Sequence, residues 1–94
     1  MSTFFMLGKY SPEAVKSISA ERTEKCNDLI KKFGGTVNSM YVLIGEYDLA
    51  FIVDFPSEKE VIKASIALNR MTGIAFCTSP AITVEEFDRM IAEI

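Results

Sequence analysis

The sequence predicts an α+β domain: a four-stranded antiparallel sheet with its helices on one side. Three observations carry that reading. Two strand-like runs, Thr36 to Ile44 and Tyr47 to Phe55, are separated only by Gly45-Glu46 and read as a hairpin. Helix-start patterns stand on either side of it, at Ser11-Pro12-Glu13 and at Ser57-Glu58-Lys59-Glu60. Further strand-like runs open at Thr3 and Ile74. The order is therefore βαββαβ, with one more helix at the end, and right-handed crossovers place the two main helices on one face. This is the split βαβ, or ferredoxin-like, plan.

The first strand, Thr3 to Lys9, is apolar on both faces, as a central strand flanked by neighbours is. Ser11 suits a helix N-cap, Pro12 the first helical position and Glu13 the positive end of the dipole. Val15 and Ile18 begin an apolar stripe that Cys26, Leu29, Ile30 and Phe33 continue, with room for a break in the polar stretch Ser17 to Thr23. Gly34-Gly35 ends the helix, Gly34 as the left-handed C′ residue.

A two-residue link with glycine first suits a type II′ turn, because its first central residue needs positive φ. Counting outward from Gly45-Glu46 pairs Ile44 with Tyr47, Val42 with Leu49, Met40 with Phe51 and Asn38 with Val53. Alternation puts these residues on one face, the apolar one, under the helices. The other face then carries Leu43 with Asp48, Tyr41 with Ala50, Ser39 with Ile52 and Val37 with Asp54. It is too apolar for bare water and too polar for a sealed core. A second sheet facing it across a partly polar cavity reconciles the two.

Pro56 stops the hairpin, and Ser57 with Glu60 forms a capping-box pattern. The helix that follows buries Val61, Ala64, Ser65, Leu68 and Met71, and Gly73 closes it. Ile74 to Ser79 is the fourth strand, held to a sheet edge by Pro80. Thr83 to Glu86 repeats the capping pattern for a last helix bearing Phe87, Met90, Ile91 and Ile94.

Ninety-four residues make one domain with a thin core, and 49% hydrophobic content is high for that size. Part of the apolar surface therefore needs a second copy to cover it. The net charge is −3 and the basic residues are scattered, which argues against nucleic-acid binding. No apolar run reaches membrane-spanning length, and no cleavable leader pattern opens the chain, so a cytoplasmic protein without membrane partners is expected. Cys26 and Cys77 read as two free thiols. The chain has no histidine and no tryptophan, which excludes a serine or cysteine triad and any histidine metal ligand. No glycine-rich loop precedes a helix in a nucleotide-binding pattern. No cofactor and no metal is expected.

Gly45, Glu46, Tyr47 and Asp48 in this strand-turn-strand setting resemble the signature of the GYD domain family. The likeness extends to Leu7-Gly8-Lys9, Ser11-Pro12-Glu13, Gly34-Gly35 and Thr83-Val84-Glu85-Glu86-Phe87. It implies a ferredoxin-like domain of the dimeric α/β-barrel type, in which two sheets face each other. A more distant likeness is to the effector-binding domains of leucine-responsive (Lrp/AsnC-type) regulators. These also carry Gly-x-Tyr-Asp in the hairpin and bind small effectors between subunits. No helix-turn-helix pattern precedes the domain in these residues, so the likeness does not bring DNA reading with it.

The candidate ligand contacts lie on the mixed face: Asp48, Tyr41 and Ser39 as polar groups, Leu43, Ala50 and Ile52 as the apolar wall, and Cys77 on the small-residue side of the fourth strand. Tyr47 and Asp48 also have a structural reading, as hairpin staple and backbone acceptor. Tyr10 is expected at a surface or interface, and Cys26 in the core. The leading reading is a small-ligand-binding or regulatory module working as a homodimer or larger assembly. The alternatives are a cofactor-independent isomerase or monooxygenase in which Asp48 or Tyr41 handles a proton, and a purely structural assembly protein.

Overall fold

The computed structural model describes all residues, Met1 to Ile94. Its elements are β1 (Ser2–Tyr10), α1 (Pro12–Lys16), α2 (Ala20–Lys32), β2 (Thr36–Val42), β3 (Leu49–Phe55), α3 (Glu58–Thr72), β4 (Ile74–Ala81) and α4 (Val84–Ala92). The sheet order is β2-β3-β1-β4 with every pair antiparallel, the ferredoxin-like arrangement. β1 is central, and Pro80 lies on the edge strand β4, where its missing N–H is tolerated.

The break that the polar stretch Ser17 to Thr23 left room for is present, and the first helical stretch is two helices. Ser11 caps α1 by accepting the Ala14 N–H at 3.1 Å, and Ser19 caps α2 by accepting the Arg22 N–H at 3.0 Å. The break between them turns Val15 and Ile18 out to solvent, so the apolar stripe begins at Ala14 instead. Cys26 and Ile30 continue it, and Gly34 leaves α2 with φ +85°, the left-handed conformation expected after the C-cap. At α3, Ser57 occupies the N-cap but donates its hydroxyl to the Glu60 carboxylate instead of capping a backbone N–H. Thr83 does cap α4, accepting the Glu86 N–H at 3.1 Å.

The core lies between the sheet and α1–α3. Phe4, Met6, Phe51, Val53 and Phe55 come up from the sheet to meet Ile30, Val61, Ala64 and Leu68. Met71, expected there, is largely exposed, and Thr72 is buried in its stead. The Thr72 hydroxyl donates to the Leu68 carbonyl at 2.7 Å and accepts the Ile74 N–H at 3.1 Å, so burial costs it no hydrogen bond. Tyr10 also differs from expectation. It is half-buried on the helix side, packed against the core and under the Arg22 guanidinium, 5.2 Å from its ring centroid.

The hairpin register holds from Val42↔Leu49 to Ser39↔Ile52, then shifts. A bulge at Asn38 makes Val37, not Asn38, the partner of Val53, and Thr36 the partner of Asp54. The bulge leaves Asn38 exposed, and its amide donates to the Asp54 carboxylate at 3.1 Å.

α4 has no buried residue and makes almost no contact with the rest of the chain. The radius of gyration is 14.2 Å and the long axis 49 Å. A compact chain of this length has a radius of about 12 Å. α4 stands off the domain with Phe87, Met90 and Ile91 uncovered.

Candidate functional site

Alternation along the strands sends Phe4 and Met6 to the helices and Thr3, Phe5, Leu7 and Lys9 to the opposite, open face. Registers on both sides of β1 then set the candidate residues in transverse rows. Tyr41 pairs with Ala50, Ala50 with Leu7 and Leu7 with Cys77, giving one continuous row. Ser39, Ile52, Phe5 and Ser79 form the next. The structure therefore brings Ser39, Tyr41, Ala50, Ile52 and Cys77 onto one surface, as the sequence spacing implies. Tyr41 is 56% exposed and Phe5 42%. Cys77 is an exposed free thiol, and Cys26 is buried.

The end of this surface is built by the hairpin tip, which is not the tight turn that Gly45-Glu46 suggested. The last strand-like bond joins the Leu43 N–H to the Asp48 carbonyl at 2.8 Å, and Ile44 to Tyr47 form an open tip with Ile44 fully exposed. Gly45 has φ +149°, backbone that L side chains rarely adopt, and its surroundings are empty. Val42, expected under the helices, is exposed as well, because the hairpin runs on past the helical layer.

Three bonds tie this tip to β1. The Asp48 N–H donates to the Gly8 carbonyl at 2.8 Å, Asp48 Oδ2 accepts the Tyr10 N–H at 2.8 Å, and Lys9 Nζ donates to the Glu46 carbonyl at 2.7 Å. One oxygen of the Asp48 carboxylate is thus engaged as a backbone clamp. Tyr47, expected opposite Ile44 on the helix side, lies instead beside Cys77. The neighbouring Cys77 thiol, then the charge of Glu46, push its phenol above the ordinary value of 10.0. At the opposite end of the face Thr3 Oγ1 donates to Asp54 Oδ1 at 2.6 Å, and this bond, with that from Asn38, holds the Asp54 carboxyl below its ordinary range. The Thr3–Asp54 pair was not foreseen. The strand alternation that put Asp54 on this face could have found it, had β1 been laid beside β3.

The corner between the open face and α4 holds a cavity of about 310 Å³, lined by Thr3, Phe5, Ile52, Ile82 and Glu86. No cluster of acidic, cysteine or histidine side chains could hold a metal ion, and no helix is long and apolar enough to cross a membrane.

The strand order, the open half-apolar sheet face and the clamped Gly-x-Tyr-Asp tip define a ferredoxin-like domain. Residues 4–91 match the model of the GYD domain, and the chain belongs to that family. Among solved structures it is similar in fold to the leucine response regulatory protein of Mycobacterium tuberculosis, with a TM-score of 0.58 at 10% identity. The match covers 87% of this chain and 51% of that one, so the chain spans about half the length of that protein. No curated protein matches it in sequence.

Proposed function

We propose that this chain is a small-ligand-binding or regulatory module that works as a homo-oligomer, its ligand held between two facing sheets. The observation that carries the reading is the uncovered apolar surface shared by the open sheet face and α4. Phe5, Tyr41 and Leu43 on the sheet, and Phe87, Met90 and Ile91 on the helix, are left only part-covered within the chain. A second copy offers the same two surfaces in return, so one two-fold contact covers both.

Between the sheets Tyr41 and Ser39 supply hydroxyls, and the second oxygen of Asp48 an acceptor. Leu43, Ala50 and Ile52 form the apolar wall, and the small side chains of Ala75, Cys77 and Ser79 leave room. The similar solved structure is by its name a leucine response regulatory protein, which supports a small-molecule signal over chemistry for this chain. Two free thiols suit a reducing compartment, and the cytoplasm is the natural setting.

The test is a thermal-shift panel of amino acids and small carboxylic acids, run on the native protein, Tyr41→Phe and Ser39→Ala. A ligand of the native state raises the melting temperature by mass action, and the two variants should reduce that rise. A rise equal in all three proteins removes these hydroxyls from the site. No response to any compound, with the oligomer intact, leaves assembly as the role of the face.

A further inference from the structure

A second cavity lies on the helix side of the sheet, between α2 and the β2–β3 hairpin, and of the residues proposed for the facing-sheet site only Tyr41 also borders it. It measures about 260 Å³, and Cys26, Met40, Leu49, Phe51 and Ile74 form its walls. Ile18 and Val42 stand at its rim. Arg22, its guanidinium stacked on the lining residue Tyr10, is the one charged residue that borders it.

The state of Arg22 is what gives this cavity a chemistry. Its Nη1 donates to the Ala14 carbonyl and, at 3.2 Å, to Ser17 Oγ. Those two acceptors fix the guanidinium plane but leave Nε and Nη2 unused. The chain's ion pairs, Lys25–Glu21 and Arg89–Glu85, do not include it. A positioned guanidinium with spare donors and no carboxylate partner, at the mouth of an apolar cavity, is complementary to a carboxylate with an apolar tail. The volume falls just below the range of about 300–1,000 Å³ used by drug-sized ligands, so a one-ring or short branched tail is the right scale.

We propose that this cavity binds a small carboxylate, its apolar tail among Cys26, Met40, Leu49 and Phe51 and its carboxylate on the free edge of Arg22. The site is complete within one chain and needs no second copy, although Tyr41 borders both it and the open face. Occupancy would join α2 to the hairpin whose other face carries the candidate interface, a direct physical route between the two sides of the sheet.

The probe is 3-phenylpropionate, titrated into the isotopically labelled native protein by NMR, with the neutral 3-phenylpropanamide as isostere. The expected result is saturable shifts at Arg22, Thr23, Cys26 and Met40, including Arg22 Nε–H. Loss of the charge-assisted bond should weaken the amide by about tenfold or more. Val42→Trp, at a rim position 78% exposed where the larger side chain leaves the core untouched, should abolish the shifts by filling the mouth. Arg22→Gln should bind acid and amide alike; if its loss of the α1–α2 tie unfolds it, the acid–amide comparison on the native chain still decides. Equal affinity for acid and amide, shifts that persist in Val42→Trp, or no saturable shifts would each overturn the proposal. So would shifts at Ile18 and Thr23 on simple dilution, which would show that a second copy closes this cavity.

Discussion

Replacing Phe5 with glutamate puts a charge at the centre of the open face without touching the helix-side core. Phe5 is 42% exposed in the single chain. A phenylalanine offers roughly 200 Å² of surface, so about 80 Å² remains for a partner to cover. At about 25 cal/mol per Å² that is about 2 kcal/mol for each copy. A two-fold interface loses it twice, about 4 kcal/mol in all, which is about a thousandfold in the dissociation constant. Desolvating the two carboxylates adds to that loss. Sedimentation velocity over a wide concentration range reads the effect, with circular dichroism confirming the fold. The native protein should sediment as an oligomer where Phe5→Glu sediments as a folded monomer. A folded Phe5→Glu with native mass at every concentration would refute the argument that this face is the interface.

Three further predictions test the parts that shape the face. Gly35→Ala should cost about 1–3 kcal/mol in chemical denaturation, the usual range for overpacking a core. Its Cβ would stand 2.6 Å from the buried Phe55 ring and 2.9 Å from Ile30 Cγ2, so an unchanged midpoint would contradict the packing described. Asp48→Ala strands the Tyr10 N–H and should lose about 1–3 kcal/mol, while Asp48→Asn keeps an acceptor oxygen and should lose less. Equal stability of the two variants in a urea melt would remove the clamp from the account. Asp54 ionises more readily in the folded chain than its ordinary 3.8, so its contribution is full above that value and is lost as the pH falls through the lower folded value. Thr3→Val, which removes the first donor, should flatten the fall of melting temperature in that acid window, and a curve parallel to that of the native protein would show that the bond has no such role.

The fold was legible because independent signals agreed. The hairpin runs, the glycine after α2, Pro80 at an edge and the caps at Ser11 and Thr83 all point to one topology. The open face was legible for the same reason, since alternation is a strict property of strands. What escaped the sequence was set by contacts between distant segments or by a local choice with nearly balanced alternatives. The bulge at Asn38 moves one residue out of register and leaves no compositional mark, although the amide it frees finds Asp54. The tip around Gly45 opens because three bonds to β1 replace those of a tight turn, and those partners lie far away in sequence. Tyr47, freed from strand alternation by the open tip, has its phenol near Cys77. Nothing in the sequence singled out Arg22, because the acceptors that hold its guanidinium, the Ala14 carbonyl and Ser17 Oγ, belong to α1 and the break that follows it.

The central claim is that the open face meets a second copy with a small molecule between. Native mass spectrometry of the freshly purified protein tests it most directly. The expected mass is that of two or more chains carrying an additional small-molecule adduct, which Phe5→Glu loses together with the partner chain. A single-chain mass for the native protein at concentrations that preserve its fold would contradict it.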